Sequence, residues 1–285
     1  MQVLLVHNPD AGDKSAPDEK ALKKLIREAG HEVEYCSIRG QKWKRVIADA
    51  PDLVAVAGGD GTVVQVAREL IGRQVPIAVL PLGTANNISK SLGVKHLPIE
   101  DIVASWNAAQ HKRFDAGVIS APWGKRYFVE AAGAGLFALA MPEADANPTL
   151  ENMEDAEARA TYAQQILRER LKACRPLHLD ITADEKTISG EYILFEAMNM
   201  EYVGPNLYLA PDSVGDDGRL DVVLIAERQR RKLDRYLETW QDGVARPPDF
   251  DALKAERIEL QWTGFDMHVD DALFPAKKRR PPQRP

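Results

Sequence analysis

One segment constrains the fold of this chain more than any other: an apolar strand that leads into a glycine-rich turn and then into a helix. The strand covers residues 54–57, and an apolar helical pattern covers residues 63–71. The turn between them contains the run Gly58-Gly59-Asp60-Gly61-Thr62. Glycines let a backbone turn sharply and approach a ligand closely, and the first N–H groups of a helix point back towards such a turn. The segment therefore predicts a phosphate site in an α/β fold.

The acidic residue of this turn restricts the kind of ligand. A carboxylate at Asp60 would repel a bare phosphate, so its position favours a cation or a hydroxyl proton between the two. We therefore predict that Asp60 holds a metal ion through water. The run is neither the Walker pattern, which needs Gly-Lys-Ser/Thr, nor the dinucleotide fingerprint, whose third glycine lies further into the helix. An ordinary tight turn between a strand and a helix is the alternative interpretation.

A second strand followed by a polar turn strengthens the phosphate interpretation. Residues 76–80 are predicted to form a strand, and another helix is expected to start near Ile88. The turn between them reads Pro81-Leu82-Gly83-Thr84-Ala85-Asn86-Asn87. Two consecutive parallel strands bring their turns to the same carboxyl edge of a sheet, which is where open α/β sheets bind ligands. We therefore expect the two turns to form one site.

The two turns together resemble the nucleotide site of the diacylglycerol kinase catalytic-domain family, which includes soluble bacterial lipid kinases, sphingosine kinases and ceramide kinases. The more distant NAD kinases share the first turn. Residues 7–12, His-Asn-Pro-Asp-Ala-Gly, resemble the family's N-terminal Asn-Pro-x-Ser-Gly, and residues 209–213 with 217–221 resemble a segment of the lipid kinases. The resemblance covers nearly the whole chain in the right order. It implies an α/β nucleotide domain, a β-rich domain and a cleft between them.

Phosphoryl transfer to a hydroxyl requires backbone donors for the phosphates, Mg²⁺ for their charge, a base for the hydroxyl proton and a pocket for the acceptor. The glycine turn would supply the backbone donors and Thr84 a hydroxyl, and the resemblance implies that Asn8 and Asn87 contact the sugar or base of the nucleotide. ATP and Mg²⁺ are the expected cofactors. The predicted nucleotide-binding residues are Asn8, Gly58, Gly59, Asp60, Gly61, Thr62, Gly83, Thr84 and Asn87.

The resemblance also implies a catalytic base. Lipid kinases of this family carry a late Asp-Gly-Glu, and the matching place here reads Asp270-Asp271-Ala272. Asp270 is therefore the predicted base, with Asp60 as the second catalytic residue. The glutamate of the family is absent, and Asp271 could substitute for it. A solvated turn at the end of the strand is the alternative, and the neighbouring His268 is interpreted as structural.

A second metal site is predicted in the turn that contains Gly215-Asp216-Asp217-Gly218. Related lipid kinases bind a structural Mg²⁺ or Ca²⁺ at this position. By that resemblance the ligands would be the carboxylate of Asp217 and the carbonyl groups of Gly215 and Arg219, and hard cations favour such oxygen ligands. An Asp-Gly turn without a metal is the alternative.

The order of predicted elements divides the chain into two domains and a tail. Strand–helix alternation over residues 1–112 predicts an α/β domain with a mostly parallel, Rossmann-like sheet. Short strands and hairpin loops over residues 113–274 predict a β-rich, mainly antiparallel domain, with helices expected at about 151–173 and 228–240. One of its strands is predicted over residues 126–132. The basic, proline-rich residues 275–285 form a tail that is typical of disorder, or that attracts an anionic membrane.

Composition excludes several classes of protein. The formal net charge of −6 argues against a general nucleic-acid binder. Apolar runs are no longer than strands, and no basic-then-apolar leader opens the chain, so we expect neither a membrane span nor a secretion signal. The two cysteines, Cys36 and Cys174, lie far apart and are expected to be reduced and structural. We predict a cytoplasmic protein that contacts membranes peripherally and could form a homodimer.

The function that these observations favour is an ATP- and Mg²⁺-dependent lipid kinase. The acceptor would be diacylglycerol or a related lipid alcohol, such as ceramide or a sphingoid base. A NAD kinase is one alternative, because it shares the first glycine turn. A nucleotide or lipid sensor without catalysis is the other, because the late glutamate is missing.

Overall fold

The described residues group into two units. The computed structural model describes residues 1–13, 15–40, 42–49, 51–153, 155–239 and 249–274. The first unit comprises Met1–Phe114 and Asn152–Ala160, and the second comprises Asp115–Glu151 and the described residues from Thr161 onward. The predicted basic tail, residues 275–285, lies outside the described residues.

A four-stranded parallel sheet forms the centre of the first unit, with the strand order β2-β1-β3-β4. Its strands are β1 (Gln2–His7), β2 (Glu32–Ser37), β3 (Leu53–Gly58) and β4 (Ile77–Pro81). Its helices are α1 (Glu19–Glu28), α2 (Lys42–Val46), α3 (Asp60–Leu70), α4 (Asn87–Ser91) and α5 (Ile99–Ser105), with a 3₁₀ turn at Ile47–Asp49. Every residue of β3 is buried, as expected for an inner strand of a parallel sheet. The predicted parallel α/β sheet is therefore confirmed.

The start of α1 shows how local sequence sets an element of this unit. The Asp18 side chain accepts a hydrogen bond from the N–H of Ala21 and caps the helix. Leu22 and Ile26 lie four positions apart on the buried face. The helix ends just before Gly30, which adopts a φ of +84° that favours glycine.

An antiparallel sheet of eight strands dominates the second unit. Its main path runs β13-β12-β9-β7-β15-β16, with β8 beside β9 and β14 beside β8. Two separate hairpins, β5-β6 and β10-β11, complete its strands among the described residues. The strands are β5 (Gly117–Ala121), β6 (Gly124–Phe128), β7 (Ala131–Gly135), β8 (Leu177–Ala183), β9 (Lys186–Met198), β10 (Tyr202–Val203), β11 (Leu207–Tyr208), β12 (Leu220–Ala226), β13 (Asp251–Ala255), β14 (Ile258–Leu260), β15 (Met267–Val269) and β16 (Ala272–Phe274). This confirms the predicted antiparallel β-rich region.

The remaining helices of the described chain lie after residue 130. They are α6 (Leu136–Asp145), α7 (Pro148–Asn152), α8 (Ala156–Ala173) and α9 (Arg230–Thr239), with a 3₁₀ turn at Glu227–Gln229. Residues from α6, α8 and α9 join one apolar core with the inner faces of β9 and β12. The first five residues of α8 are grouped with the first unit.

Several elements differ from the sequence-based expectation. The strand predicted over 126–132 is two strands, β6 and β7, divided at Val129 and Glu130. The helix expected from residue 151 is divided in two, and its long part begins at Ala156. Helix α6 was not predicted, because its apolar sequence continues directly from β7. Gly135 separates the two elements with a φ of +91°, and a Cβ there would lie 2.4 Å from the carbonyl oxygen of Ile193.

Two further expectations can be compared with the structure. Cys36 and Cys174 are both buried and form no disulfide, as predicted. Burial raises the pKa of both thiols, which makes them poor nucleophiles. None of the helices in the described part of the chain is long and apolar enough to cross a membrane.

Candidate functional site

The two predicted glycine turns meet at the end of adjacent strands in the first unit. β3 and β4 pair in parallel up to Gly58 and Pro81, which brings the following turns together. A Cβ on Gly83 would lie 2.4 Å from the Cα of Gly59, and a Cβ on Gly58 would lie 2.7 Å from the Thr62 hydroxyl. A side chain at Gly83 would therefore collide with the neighbouring turn, and a side chain at Gly58 would collide with Thr62 of its own turn.

The second turn is held by its own asparagine. Asn86 adopts a left-handed conformation with a φ of 53°, and its side-chain oxygen accepts the N–H of Gly83 at 3.0 Å. Its amide nitrogen donates to the Gly83 carbonyl at 2.6 Å. Asn87, predicted to bind the nucleotide, is buried at the start of α4, so that role stays a prediction.

Asp60 joins the two turns. Its carboxylate accepts the N–H of Asn87 and the N–H of Ile88, each at 3.0 Å, across from the first turn to the second. Burial raises the pKa of Asp60, against the lowering effect of these two hydrogen bonds. These hydrogen bonds of the Asp60 carboxylate are thus with backbone N–H groups. Its predicted roles in metal binding and catalysis stay predictions.

A cavity of about 240 Å³ opens beside the turns. Its lining is rich in hydrogen-bond donors and contains no carboxylate. The Asn8 amide, which donates to the Thr62 hydroxyl at 3.3 Å, fixes one wall. Gly61 is the second residue of α3, so its backbone is helical and its φ is not positive. The lining residues are Asn8, Ala11, Gly12, Gly59, Gly61, Thr62, Gln65, Gly83, Thr84 and Arg159.

Arg159 is the functional residue of this cavity that sequence reasoning missed. One of its guanidinium nitrogens donates to the Thr84 hydroxyl at 3.0 Å, and the other bonds the Met153 carbonyl. It enters the first unit from residues 152–160, far along the chain from the glycine turns. No motif marks it, because it stands as a single basic residue within an acidic stretch. Its charge makes the cavity suited to an anion.

The predicted base lies in the second unit, in a tight hairpin between β15 and β16. Asp270 is the first of two loop residues, since Val269 pairs with Ala272. Its φ is 50°, an uncommon left-handed conformation for a residue other than glycine. Only 7% of its surface is exposed, so the alternative of a solvated turn does not describe it, whereas Asp271 is exposed.

The Asp270 carboxylate is bound by backbone N–H groups of the loop between β6 and β7. Its Oδ1 accepts the N–H of Glu130 at 2.8 Å, of Val129 at 3.1 Å and of Ala131 at 3.3 Å. Its Oδ2 accepts the N–H of Val129 at 3.1 Å. The interruption between β6 and β7 therefore lies where these backbone amides turn towards Asp270. They fix the orientation of the carboxylate.

Two family models together match most of this chain. The diacylglycerol kinase catalytic domain matches residues 2–119, which contain both glycine turns. The YegS C-terminal NAD kinase beta sandwich-like domain matches residues 139–275, which contain the Asp270 hairpin. The chain belongs to the diacylglycerol kinase family of lipid kinases. The family expected from the sequence is therefore confirmed.

Individual relatives of this lipid kinase agree with the family. The "Probable lipid kinase YegS-like" protein of Shewanella frigidimarina is 26% identical over 272 residues, covering 90% of this chain and 82% of the relative. The diacylglycerol kinase of Bacillus subtilis is 31% identical over 179 residues, which is 61% of this chain and 55% of the relative. A solved diacylglycerol kinase structure from Bacillus anthracis superposes with a TM-score of 0.67 at 23% identity, covering 94% and 89% of the two chains, and shows the shared fold.

The turn predicted to hold a second metal in this lipid kinase already has protein partners. Asp217 accepts the N–H of Arg219 at 3.0 Å, and the Lys254 ammonium lies 3.3 Å from its other oxygen. Against a raising effect of burial, these two groups hold the pKa of Asp217 below its usual value. The Gly215 carbonyl accepts the N–H of Asp115 at 2.7 Å.

Metal binding by the kinase is therefore not indicated by its own side chains. Within the described ranges, no group of three or more His, Cys, Asp or Glu side chains is arranged to hold a metal ion. At Asp217 a lysine ammonium already supplies positive charge. The metal roles assigned to Asp60, Gly215, Asp217 and Arg219 stay predictions.

Proposed function

We propose that this lipid kinase transfers the γ-phosphoryl group of ATP to the hydroxyl of a lipid alcohol, with diacylglycerol as the first candidate. The observation that carries the nucleotide half of the proposal is the donor-lined cavity of the first unit. It offers two amides, two hydroxyl groups and a guanidinium, with glycine backbone between them and no acidic side chain. This donor set suits the phosphate chain of a nucleotide.

The glycines support the same assignment. The approach of Gly83 to Gly59 leaves backbone rather than side chains at the floor of the cavity. Thr62, Thr84 and Arg159 would hold the phosphates, and Asn8 would hold its neighbour Thr62 in place. Bound Mg-ATP would supply the transferable phosphoryl group and the charge neutralisation of its phosphates. Because the cavity lining lacks carboxylates, the phosphates and water would provide most ligands of the Mg²⁺.

The second unit would supply the base and the acceptor site. In the proposed reaction the lipid hydroxyl oxygen forms a bond to the γ-phosphorus while the bond to the β–γ bridging oxygen breaks. Asp270 accepts the hydroxyl proton, and ADP leaves. The fixed orientation of the Asp270 carboxylate supports this role, since a base must be held at a defined angle to its proton.

A cavity in the second unit supports a lipid acceptor, because a large part of its mixed lining is apolar. Its volume is about 560 Å³, and it lies among β5, β9 and the strands near the C-terminus. Its apolar lining includes Ile119, Phe195, Leu260, Trp262 and Met267. Such a lining suits an acyl chain, whose transfer from water contributes about 0.8 kcal/mol per buried CH₂.

Contact with a membrane surface is part of the proposal, because an insoluble acceptor must be taken from one. The described feature that supports it is the β5-β6 hairpin, in which Val118 and Tyr127 pair across the strands and are both exposed. Lys125 and Arg126 follow on the same hairpin, and Lys125 lies over the Tyr127 ring. Exposed apolar and aromatic side chains next to cations suit an anionic lipid surface. Co-sedimentation with phosphatidylglycerol vesicles should fall for the Val118→Ser/Tyr127→Ser variant.

The decisive experiment offers labelled ATP to the purified protein with diacylglycerol, ceramide, sphingosine and NAD, each in separate reactions. We expect label in a lipid phosphate and none in NADP. Label in NADP would instead support a NAD kinase, and GTP in place of ATP tests the nucleotide. Binding of Mg-ATP without transfer to any acceptor would refute the catalytic proposal and leave a nucleotide sensor.

A further inference from the structure

Three neighbouring strands of the second unit bring an acidic residue, a glycine and a histidine into one row. Gly133 of β7 pairs with Glu196 of β9 on one side and with His268 of β15 on the other. Side chains of directly paired residues lie on the same face of a sheet. Glu196 has 0% of its surface exposed and His268 has 3%, so the row is buried. The reaction proposed above uses neither side chain.

The glycine in the middle allows the outer two side chains to meet. The Nε2 atom of His268 lies 2.9 Å from both carboxylate oxygens of Glu196, across the strand that contains Gly133. A Cβ on Gly133 would lie 2.3 Å from the Glu196 carboxyl carbon and from both of its oxygens. The carboxylate therefore occupies the space that any side chain at Gly133 would need.

The hydrogen-bond partners define the protons on His268. Its Nδ1 lies 3.1 Å from the carbonyl oxygen of Asp270, and since a carbonyl can only accept, Nδ1 must carry a hydrogen. Nε2 faces two carboxylate oxygens at equal distance, which fits donation from a second ring N–H. Although burial disfavours the imidazolium, the Glu196 carboxylate and the Asp270 carbonyl together hold the pKa of His268 above its ordinary value. Burial also raises the pKa of Glu196, so the row is a buried, hydrogen-bonded pair of ionisable groups.

This pair ends at the predicted base. Three groups of Asp270 make hydrogen bonds. Its N–H donates to the Ala131 carbonyl at 2.8 Å, and its carboxylate accepts the amides of the β6-β7 loop. Its carbonyl accepts a hydrogen bond from His268. A left-handed aspartate is a strained conformation that surrounding contacts must maintain. His268 contacts the peptide group that follows this residue.

We propose that Glu196 and His268 are positioning residues that hold the Asp270 peptide, and through it the Asp270 carboxylate, at the orientation needed to accept a proton. The proposal rests on the proposed function, in which Asp270 is the base. Burying two ionisable groups is expensive, and apolar residues of similar volume often stabilise a core equally well. A core that nevertheless contains this pair, with a glycine to make room for it, fits a role in orientation.

The test separates the donor to Asp270 from the rest of the row. A glutamine at position 268 reaches about as far as Nε2 but has no donor at the place of Nδ1. The double variant Glu196→Gln/His268→Gln therefore fills the row with two amides and removes the bond to the Asp270 carbonyl. In the single variant Glu196→Gln, the amide can donate to a neutral His268, which keeps its Nδ1–H on that carbonyl. Asp184→Asn, in another hairpin of this unit, is the outside control.

Two readouts are measured on the full chain: steady-state kinetics with the accepted lipid, and hydrogen exchange of the amides of residues 129–131. In the double variant we expect kcat to fall at least about tenfold, because small displacements of reacting groups have effects of this size, while the KM for Mg-ATP changes less than about twofold. We expect exchange at 129–131 to accelerate at least about tenfold. Glu196→Gln should retain most of the kcat that the double variant loses.

The outcomes decide the proposal in each case. A folded double variant with wild-type kcat and wild-type exchange at 129–131 overturns it, and so does an equal loss of kcat in Glu196→Gln. If the wild type phosphorylates no lipid, the proposed function fails, and the exchange readout alone then supports or overturns the positioning role. If the double variant does not fold, Glu196→Gln/His268→Asn replaces it, since an asparagine amide can still donate to Asp270. That variant should exceed Glu196→Gln/His268→Ala in kcat, and equal values overturn the proposal.

Discussion

Two hairpins of the second unit use an aspartate in the same way, in different surroundings. Asp184 lies between β8 and β9 with a φ of 52°, and Asp270 lies between β15 and β16 with a φ of 50°. Asp184 accepts the N–H of Arg257 at 2.9 Å and of Glu256 at 3.1 Å, and its own N–H donates to the Arg257 carbonyl. Asp270 does the same with residues 129–131.

The difference between the hairpins is burial and the imidazole. Asp184 is exposed, whereas Asp270 is buried and its carbonyl contacts His268. An aspartate in the left-handed conformation whose carboxylate accepts backbone N–H groups is therefore a structural feature of this fold. It is not by itself a catalytic feature. What distinguishes Asp270 is the row of side chains beneath it.

The largest effect is expected from matched substitutions in the two loops. Asp270→Asn removes the charge that accepts the proton and should lower kcat at least about 100-fold, with little change in the KM for Mg-ATP. Asp184→Asn makes the same chemical change and should leave kcat within about twofold. Steady-state kinetics on both variants, with thermal unfolding as a check on folding, measure this. Equal losses would show that the aspartate in each hairpin has only a structural role.

A second pair of substitutions compares two glycines of the same sheet, one near each hairpin. Gly133→Ala forces a methyl group into the space of the Glu196 carboxylate and should lower the free energy of unfolding by about 2–3 kcal/mol. At Gly190, near the Asp184 hairpin, a Cβ would meet the Tyr192 ring at 3.1 Å, and the ring can move. Gly190→Ala should therefore change stability by less than about 1 kcal/mol. Urea unfolding measures both, and similar values would contradict the close packing of the Glu196–His268 row.

A third substitution tests nucleotide binding separately from the action of the base. Arg159→Ala removes the guanidinium of the donor-lined cavity and should weaken Mg-ATP binding about tenfold, the size expected for one charge-assisted hydrogen bond. Arg73→Ala, which removes a bond to the Ile47 carbonyl elsewhere in the first unit, is its control. Calorimetric titration measures the affinity. Unchanged binding in Arg159→Ala would remove Arg159 from the nucleotide site.

The smallest expected effect is a pH dependence of stability. The folded-state pKa of His268 is raised above 6.5, so its contribution is fully present below pH 6.5 and is lost as the pH rises through the folded value. Relative to Glu196→Gln/His268→Gln, the wild type should lose free energy of unfolding above pH 6.5, by at most about 1.4 kcal/mol per pH unit from His268, and the raised pKa of Glu196 acts in the same direction. His7 and His31 have lowered pKa values and the opposite sign, but they are common to both proteins and cancel. Parallel curves would show that His268 is not charged in the folded state.

The sequence alone predicts the features that depend on neighbouring residues. Strand β3, its glycine turn and α3 follow from an apolar run and three glycines, and the family resemblance identified Asp270. The roles of Arg159 and Glu196 could not be predicted from the sequence, because they depend on contacts with segments far away in the chain. The division between β6 and β7 is similar: an apolar pattern cannot show that the amides at 129–131 turn towards an aspartate about 140 residues later.

That long separation in sequence has a consequence for folding during synthesis of the protein. A nascent chain that has emerged only as far as β14 already contains the glycine turns, Arg159 and the amides of the β6-β7 loop, but not the carboxylate that those amides bind. These hydrogen bonds join residues 139 to 141 positions apart, so they cannot form before residue 270 has been synthesised. The proposed base therefore reaches these amides only after the β15-β16 hairpin has been synthesised, and the phosphoryl transfer proposed here must await that step.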